Sequence, residues 1–133
     1  VGFLSSEYRR PFVAGCFFPA NASLPGKQFE EKNTKKALCT KGGVKMLVRG
    51  MATEWAKHNI QINGIGPGYF ITDMTKALVE DEKFNSWLCS RTPANRWGNP
   101  EELIGAAVFL SSKASDYVNG HMLYVDGGML ACV

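Results

Sequence analysis

The sequence has few residues of the kinds that bind metals or form redox pairs. No two of its four cysteines stand in a Cys-x-x-Cys arrangement, and neither His58 nor His121 has a metal-ligand companion at helical or loop spacing. Scattered thiols of this kind are typical of a reducing compartment. We therefore expect a cytoplasmic protein that holds no metal ion.

Long apolar runs and a strong charge of either sign are absent as well. No apolar stretch approaches the ~20 residues of a membrane helix, so no membrane partner is expected. The net charge of +3 belongs wholly to residues 1–36, which carry six Lys/Arg and three Asp/Glu, whereas residues 37–133 carry nine of each. A neutral remainder gives no electrostatic footprint for nucleic acid. With 45% apolar residues in 133, the composition is that of one ordinary soluble domain.

Regular periodicity begins only after the first quarter of the chain. Three prolines, three glycines and a polar run in residues 1–36 predict an irregular segment. Residues 60–65 alternate as a strand, which Gly66-Pro67-Gly68 ends. Before that strand, apolar residues at helical spacing predict an amphipathic helix over 42–57, with core packing as its simplest role; they are Val44, Leu47, Val48, Met51 and Trp55.

Cap and turn residues define the remaining elements. Thr72 is expected to cap a helix that begins at Asp73, and Pro93 to close that helical region. Asn99 and Glu102, with a proline between them, predict a capping box at the start of a further helix. A last strand is expected at 121–125. The helix before it would end at 111–112 and bury one apolar side, formed by Leu103, Ile104, Ala107, Val108 and Leu110.

The order helix, strand, helix, helix, strand indicates parallel strands joined by crossover helices. Such strands need neighbours on both sides and helices on both faces. The sequence therefore predicts an α/β fold, the C-terminal half of a Rossmann-type doubly wound parallel sheet, three-layered α-β-α and incomplete. It also divides the chain into residues 1–36, an irregular segment of unclear origin, and residues 37–133, the half-domain.

Four motifs after residue 40 together resemble the C-terminal half of short-chain dehydrogenases/reductases. Within that family, residues 61–129 are similar to bacterial gluconate 5-dehydrogenases. The resemblance implies hydride transfer between NAD or NADP and a carbonyl or alcohol on a Rossmann sheet. The motifs, in the family's order, are Lys41-Gly42-Gly43-Val44, the run from Asn63 to Met74, Arg96-Trp97-Gly98-Asn99-Pro100-Glu101-Glu102, and Tyr117-Val118-Asn119-Gly120 with Val125-Asp126-Gly127-Gly128.

The family's acid/base is a Tyr four residues before a Lys. A phenol of pKa ~10 is a poor base at neutral pH, and a nearby ammonium stabilises the phenolate. Lys41 matches that Lys, and the resemblance assigns it a catalytic role and contacts to the nicotinamide ribose hydroxyls. The Tyr position is Ala37, and no tyrosine stands between positions 8 and 69. The family's Ser would fall at Leu24, and its glycine-rich phosphate loop has no counterpart in this sequence.

By the same resemblance, the turn after the 60–65 strand binds the nicotinamide end of the cofactor. Pro67 and Gly68 follow the carboxyl end of a strand, where open α/β sheets bind ligands, and glycine admits a close backbone approach. Phe70 is assigned to the carboxamide through its backbone. Thr72 is assigned to the carboxamide or the pyrophosphate through its hydroxyl and amide. A plain strand-to-helix turn is the alternative for Pro67 and Gly68.

These assignments predict a gluconate 5-dehydrogenase-like oxidoreductase that interconverts 5-keto-D-gluconate and gluconate with NAD or NADP. The chain alone is expected to be inactive, because Ala37 replaces the phenol. Its partners would be a sugar-acid or polyol substrate and a second subunit packed on the 42–57 helix. Two alternatives stay open: a non-enzymatic remnant that docks to an intact subunit, and an aberrant gene product in which residues 1–36 are fused to a genuine C-terminal half.

Overall fold

A three-stranded parallel sheet organises the chain. The computed structural model describes the backbone of residues 10–15 and 31–132 and the side chains of residues 39–132. The elements are β1 (Arg10–Gly15), α1 (Glu31–Trp55), β2 (Ile60–Pro67), α2 (Lys76–Glu80), α3 (Glu82–Arg91), α4 (Ile104–Ser111) and β3 (Met122–Val125). Short 3₁₀ turns lie at Ala56–His58, Pro100–Leu103, Lys113–Ser115 and Met129–Ala131.

The strand order is β1-β2-β3, with both pairs parallel. Arg10 stands opposite Ile60 at the start of the β1–β2 pair. Gly64 stands opposite Met122 where β3 joins. The parallel arrangement with helical crossovers confirms the predicted fold class, an incomplete α/β sheet of the Rossmann type.

The central strand β2 is buried along most of its length, and both polar atoms of its interior asparagine side chain are hydrogen-bonded. Asn63 is 1% exposed. Its Nδ2 donates to the Val118 carbonyl at 2.8 Å, and its Oδ1 accepts from the His121 N–H at 3.0 Å. The polar side chain therefore joins β2 to the lead-in of β3 instead of leaving a buried group unpaired, which would cost about 1–3 kcal/mol.

Helix α1 packs on one face of the sheet through a small core. Val48 and Ala52 from the helix meet Ile62 from β2 and Met122 from β3. Other apolar side chains of α1 lie outside this core: Leu47 is 58% exposed and Trp55 38%. The predicted stripe is thus split between a buried side and a second, exposed apolar side.

The structure differs from the expectation of an irregular first segment. Residues 10–15 form β1, because pairing with β2 along the whole strand overrides a weak local signal. Helix α1 already begins at Glu31 and runs without a break across the 36/37 division drawn from the sequence. Residues 1–9 and 16–30, with the candidate serine position Leu24, lie outside the described residues.

The expected helix cap at Thr72 is wrong. Residues 72–75 form a turn in which the Thr75 N–H donates to the Thr72 carbonyl at 3.0 Å, and α2 begins only at Lys76. The first acidic cap in this region belongs to Asp81, whose carboxylate accepts from two N–H groups at the start of α3, at 3.0 and 3.1 Å. The N–H and the hydroxyl of Thr72 are instead hydrogen-bonded to the Thr75 side chain.

The capping interaction before α4 is confirmed, but the buried side of that helix is not. The Glu102 carboxylate accepts from the Asn99 N–H at 2.7 Å, and the first turn is 3₁₀. Of the predicted apolar side only Leu110 is fully buried, while Ile104 and Val108 are each 60% exposed. The reason is that α4 contacts β1 and β2 from one side, and no described element covers the other.

Two absences hold for the part of the chain that the structure describes. No helix there has both the length and the apolar character needed to cross a bilayer. No group of three His, Cys, Asp or Glu side chains in the same residues is arranged to hold a metal ion.

Candidate functional site

The turn after β2 is fastened to the end of β3. Pro67 is the last residue of β2, and the Gly68 N–H donates to the Val125 carbonyl at 2.9 Å. A Cβ on Gly68 would lie 2.7 Å from the Cα of Asp126, so only glycine fits there. Pro67 and Gly68 therefore lie at the carboxyl edge of the parallel sheet, the edge at which open α/β sheets bind ligands.

Beyond Gly68, the backbone pairs with the segment that leads to α4. Phe70 is 4% exposed and forms a parallel bridge with Gly98. The Ile71 N–H donates to the Gly98 carbonyl and the Gly98 N–H to the Tyr69 carbonyl, both at 2.9 Å. A Cβ on Gly98 would come within 2.7 Å of the Phe70 ring. The backbone of Phe70 is thus fixed from two sides.

A single hydroxyl organises the next turn. Thr75 is 5% exposed, and its Oγ1 donates to the Phe70 carbonyl at 2.6 Å. The same oxygen accepts from the Thr72 N–H at 2.9 Å and lies 3.1 Å from the Thr72 Oγ1. The amide of Thr72, which the sequence assigned to a ligand, is therefore already bonded within the loop. The Thr72 side chain itself is exposed.

Aromatic packing supports this loop from behind. The Tyr69 ring meets the rings of Phe84 and Trp97 edge to face, each at a centroid distance of 5.8 Å. Leu88 and Met129 complete the cluster. Burial raises the pKa of the Tyr69 phenol, so this hydroxyl stays protonated at neutral pH.

Lys41 lies toward the same end of the layers as Pro67. Asn119 fixes the level of α1 against β2: its Nδ2 donates to the Ala52 carbonyl at 3.2 Å and its Oδ1 accepts from the Ile62 N–H at 2.8 Å. Since β2 begins shortly after α1 ends, helix and strand run in opposite directions. Lys41 lies ~16 Å from Ala52 along the helix axis, and Pro67 lies about 16 Å from Ile62 along the strand. From these lengths we place the half-buried Lys41 near the level of the turn after β2.

A cavity of about 150 Å³ lies behind the loop, and only Phe70 of the predicted site residues lines it. Its wall includes Thr92, whose Oγ1 is buried without a hydrogen-bond partner. Lys41, Pro67, Gly68 and Thr72 lie outside this wall. Apart from Phe70, the predicted residues therefore belong to the loop surface and not to this partly open pocket.

Comparisons with known proteins identify the family of this chain. A family model described as enoyl-(acyl carrier protein) reductase, of the short-chain dehydrogenase group, matches residues 21–130. The chain belongs to the short-chain dehydrogenase/reductase family. The 5-keto-D-gluconate 5-reductase of Escherichia coli strain K12 is 76% identical over 94 residues, which are 71% of this chain and 37% of that protein. The gluconate 5-dehydrogenase of Gluconobacter oxydans is 66% identical over 90 residues, 68% of this chain and 35% of that protein.

A solved short-chain dehydrogenase structure extends the likeness further along the chain. The gluconate 5-dehydrogenase of Burkholderia cenocepacia, in complex with NADP and tartrate, is 45% identical, with a TM-score of 0.79. It covers 94% of this chain and 46% of its own. The chain spans a little over a third of the length of the curated relatives named above. The fold likeness thus reaches beyond the stretch of high identity.

One ion pair stabilises the entry to α4. Arg96 Nη2 lies 2.6 Å from Glu102 Oε1, and Arg96 Nη1 lies 2.8 Å from Glu102 Oε2. The bond from the guanidinium, followed by that from the Asn99 N–H, lowers the pKa of Glu102 to about 2. Both side chains are well exposed, so this pair shapes a turn and leaves little net charge for a ligand.

Sequence reasoning missed Thr75 and Gly98. The Thr-x-x-Thr spacing of Thr72 and Thr75 was available as a turn signal, because hydroxyls bond the backbone of nearby turns. Nothing local indicated Gly98, since its small size is required by a ring that lies far from it in sequence. The turn after β2 fits the nicotinamide end of a cofactor through the exposed side chain of Thr72 near the carboxyl edge of the sheet.

Proposed function

We propose that this chain is the C-terminal half of an NAD(P)-dependent dehydrogenase of the gluconate 5-dehydrogenase type. In the whole enzyme, the reaction would interconvert 5-keto-D-gluconate and gluconate. The observation that carries the proposal is the loop from Pro67 to Thr75, which lies at the carboxyl edge of a parallel sheet in a chain of this family. The high identity to the E. coli ketogluconate reductase supports the substrate class.

Each site residue has a separate task in this proposal. The nicotinamide ring, when bound, supplies or accepts the hydride. Lys41 would hold the ribose hydroxyls of the cofactor through its ammonium group. The backbone of Phe70 and the hydroxyl of Thr72 would orient the carboxamide, while Pro67 and Gly68 shape the turn that presents them.

The chain alone is proposed to be inactive. In the family, the lysine that Lys41 matches lowers the pKa of a phenol, but the matching position 37 of this chain, one helical turn before Lys41, is an alanine. Loss of general acid/base catalysis alone costs ~10²–10⁴ in rate. The phosphate-binding glycine loop of the family is also missing from this sequence, so cofactor positioning is weakened as well.

A direct assay tests this proposal. The purified chain is mixed with 5-keto-D-gluconate and NADH or NADPH, and the E. coli 5-keto-D-gluconate 5-reductase is assayed beside it as the active reference. We expect no turnover by the chain, and measurable turnover would contradict its inactivity. Binding of NADH and NADPH is followed separately by fluorescence. Thr72→Val should weaken it, while Thr53→Val, at an exposed threonine of α1 bonded only to the Arg49 carbonyl, should not.

A second function is favoured by the exposed apolar side of α1. Met46 is 54% exposed and Leu47 58%, and Trp55 continues the same helix. A helix of this kind fits a homo-oligomer contact through residues 42–57 or, in a non-enzymatic remnant, docking to an intact subunit. Size-exclusion chromatography with and without the E. coli relative tests both, and Leu47→Glu should abolish any association. A folded monomer that does not bind the E. coli relative would contradict docking.

We also propose a cytoplasmic location. Three thiols among the described residues, Cys39, Cys89 and Cys132, are unpaired, as is usual in a reducing compartment. Fractionation of cells that produce the chain tests this assignment, and recovery outside the cytoplasmic fraction would contradict it.

A further inference from the structure

Two Asn-Gly pairs lie beside each other where β2 meets the lead-in of β3. They are Asn63-Gly64 and Asn119-Gly120, and no other asparagine of the sequence precedes a glycine. Such a pair is chemically labile, because glycine has no Cβ to hinder attack of its nitrogen on the asparagine side chain. The nitrogen bonds to the side-chain amide carbon, ammonia leaves, and a succinimide ring results. Water then opens the ring to aspartate or isoaspartate.

Hydrogen bonds hold the reacting groups of Asn119-Gly120 in the folded chain. The Gly120 N–H, whose nitrogen is the attacking atom, donates to the Ile62 carbonyl at 2.8 Å. The Asn119 Oδ1 accepts from the Ile62 N–H at 2.8 Å, and its Nδ2 donates to the Ala52 carbonyl at 3.2 Å. Ring closure needs both groups released from these bonds. The pair is therefore protected only while α1, β2 and the lead-in of β3 stay together.

Asn63-Gly64 is protected in the same way and more deeply. Its Gly64 N–H donates to the His121 carbonyl at 2.8 Å, and Asn63 is 1% exposed inside β2, with β1 paired on its other side. Asn119, by contrast, is exposed and precedes β3, a strand of four residues at the edge of the described sheet. A short edge strand opens at a lower cost in free energy than a central strand. Asn119 is thus the more reactive of the two asparagines.

We propose that Asn119 is a site of spontaneous deamidation, and that its reaction requires local opening of the junction between β2 and β3. The product hinders closure of that junction. In aspartate, a carboxylate oxygen replaces the Nδ2 that donates to the Ala52 carbonyl, so two acceptors face each other. Isoaspartate also adds a carbon atom to the backbone beside Gly120. The modification makes a brief opening permanent, and it depends on neither cofactor nor substrate.

The first test compares the folded chain with the denatured chain. Wild type is kept in mildly alkaline buffer with and without guanidinium chloride, and mass spectrometry of its peptides follows the replacement of NH₂ by OH at each asparagine. We expect Asn119 to react at least about tenfold more slowly in the folded chain. In that state it should still react several-fold faster than Asn63, whereas the two should react at similar rates in denaturant.

Two results of this experiment would overturn the proposal. Equal rates at Asn119 with and without denaturant would show that the hydrogen bonds of the fold give no protection. Faster reaction at Asn63 than at Asn119 in the folded chain would show that the edge position of β3 does not decide which asparagine reacts.

The second test separates local opening from global unfolding. Met122 is 6% exposed and packs with Ile62 in the core beneath the junction, while Leu88 is fully buried in the aromatic cluster elsewhere. Met122→Ala should speed deamidation of Asn119 in the folded chain about tenfold, and the matched Leu88→Ala should change it by less than about twofold. Equal acceleration would make global unfolding the route and overturn the local opening. If either variant fails to fold, the order of Asn119 and Asn63 in wild type decides.

The third test examines the product. Asn119→Asp carries the aspartate that deamidation forms, and Asn95→Asp adds the same charge at an exposed turn away from the junction. We expect Asn119→Asp to unfold at a clearly lower urea concentration than wild type, and Asn95→Asp to unfold close to the wild-type midpoint. An unchanged midpoint in Asn119→Asp would overturn the claim that the product hinders closure of the junction.

Discussion

The indole N–H of Trp97 donates to the Asn85 Oδ1 at 2.8 Å, and this bond joins α3 to the segment that supports the loop after β2. Trp97 is 7% exposed, and its ring also packs edge to face on Tyr69. One side chain therefore connects three parts of the chain that are separate in sequence.

Trp97→Phe should lower the free energy of unfolding by about 1–2 kcal/mol, because it removes the bond to Asn85 and leaves space in the aromatic cluster. Urea denaturation measures the change. Trp55→Phe, at a partly exposed position of α1, is the control and should change the free energy by less than about 0.5 kcal/mol. Similar losses of unfolding free energy in the two variants would mean that the Trp97 contacts contribute no more to stability than those of Trp55.

Gly68→Ala should destabilise the chain by about 1–3 kcal/mol, since the new methyl group would meet the backbone of Asp126 at the closely joined ends of β2 and β3. Gly105→Ala serves as the opposite case. Gly105 lies in α4 with open space around it, and alanine there should stabilise by up to about 1 kcal/mol. Thermal unfolding of both variants decides, and a neutral Gly68→Ala would show that the strand ends separate easily.

Acid should weaken the entry to α4. The pKa of Glu102 is lowered from 4.5 to about 2 by the Arg96 guanidinium and the Asn99 N–H. A carboxyl with a lowered pKa in the folded state stabilises fully above its unfolded pKa, and this contribution is lost as the pH falls from about 4.5 through about 2. Urea midpoints of wild type and Glu102→Gln, compared at pH 7 and pH 3, should differ more at pH 7. A constant difference would contradict the linkage.

Thr92→Val should leave stability unchanged or increase it slightly. The Oγ1 of Thr92 is buried at the cavity wall without a partner, so its removal ends a desolvation cost and breaks no bond. The melting temperature is the measurement. A clear fall in the melting temperature would indicate that the hydroxyl is bonded in solution, for example to water in the cavity.

The sequence predicted those elements that are stabilised by interactions between residues close together in the chain. The Glu102 carboxylate reaches the Asn99 amide within one turn, and its spacing to that cap is visible in the sequence. The alternation of residues 60–65 likewise predicted β2, which in the structure continues to Pro67. The parallel fold followed from the order of these elements, and the comparisons confirm it.

Non-local contacts decided the features that the sequence left out. The strand β1 depends on pairing with β2, and the exposure of Ile104 and Val108 depends on which faces of α4 have a neighbour. Thr75 displaced the expected cap at Thr72 because three of its contacts meet at one oxygen, an arrangement that spacing alone does not reveal. The roles of Lys41, Phe70 and Thr72 toward a cofactor stay predictions.

The central place of β2 sets the order in which the sheet can be completed. Its neighbours come from opposite ends of the described chain, with Arg10 opposite Ile60 and Gly64 opposite Met122. During synthesis β3 leaves the ribosome well after β2, so one side of β2 stays uncovered in the meantime. Such long-range parallel pairing forms slowly. Production of this chain should therefore benefit from low temperature and from chaperones that shield a half-built sheet.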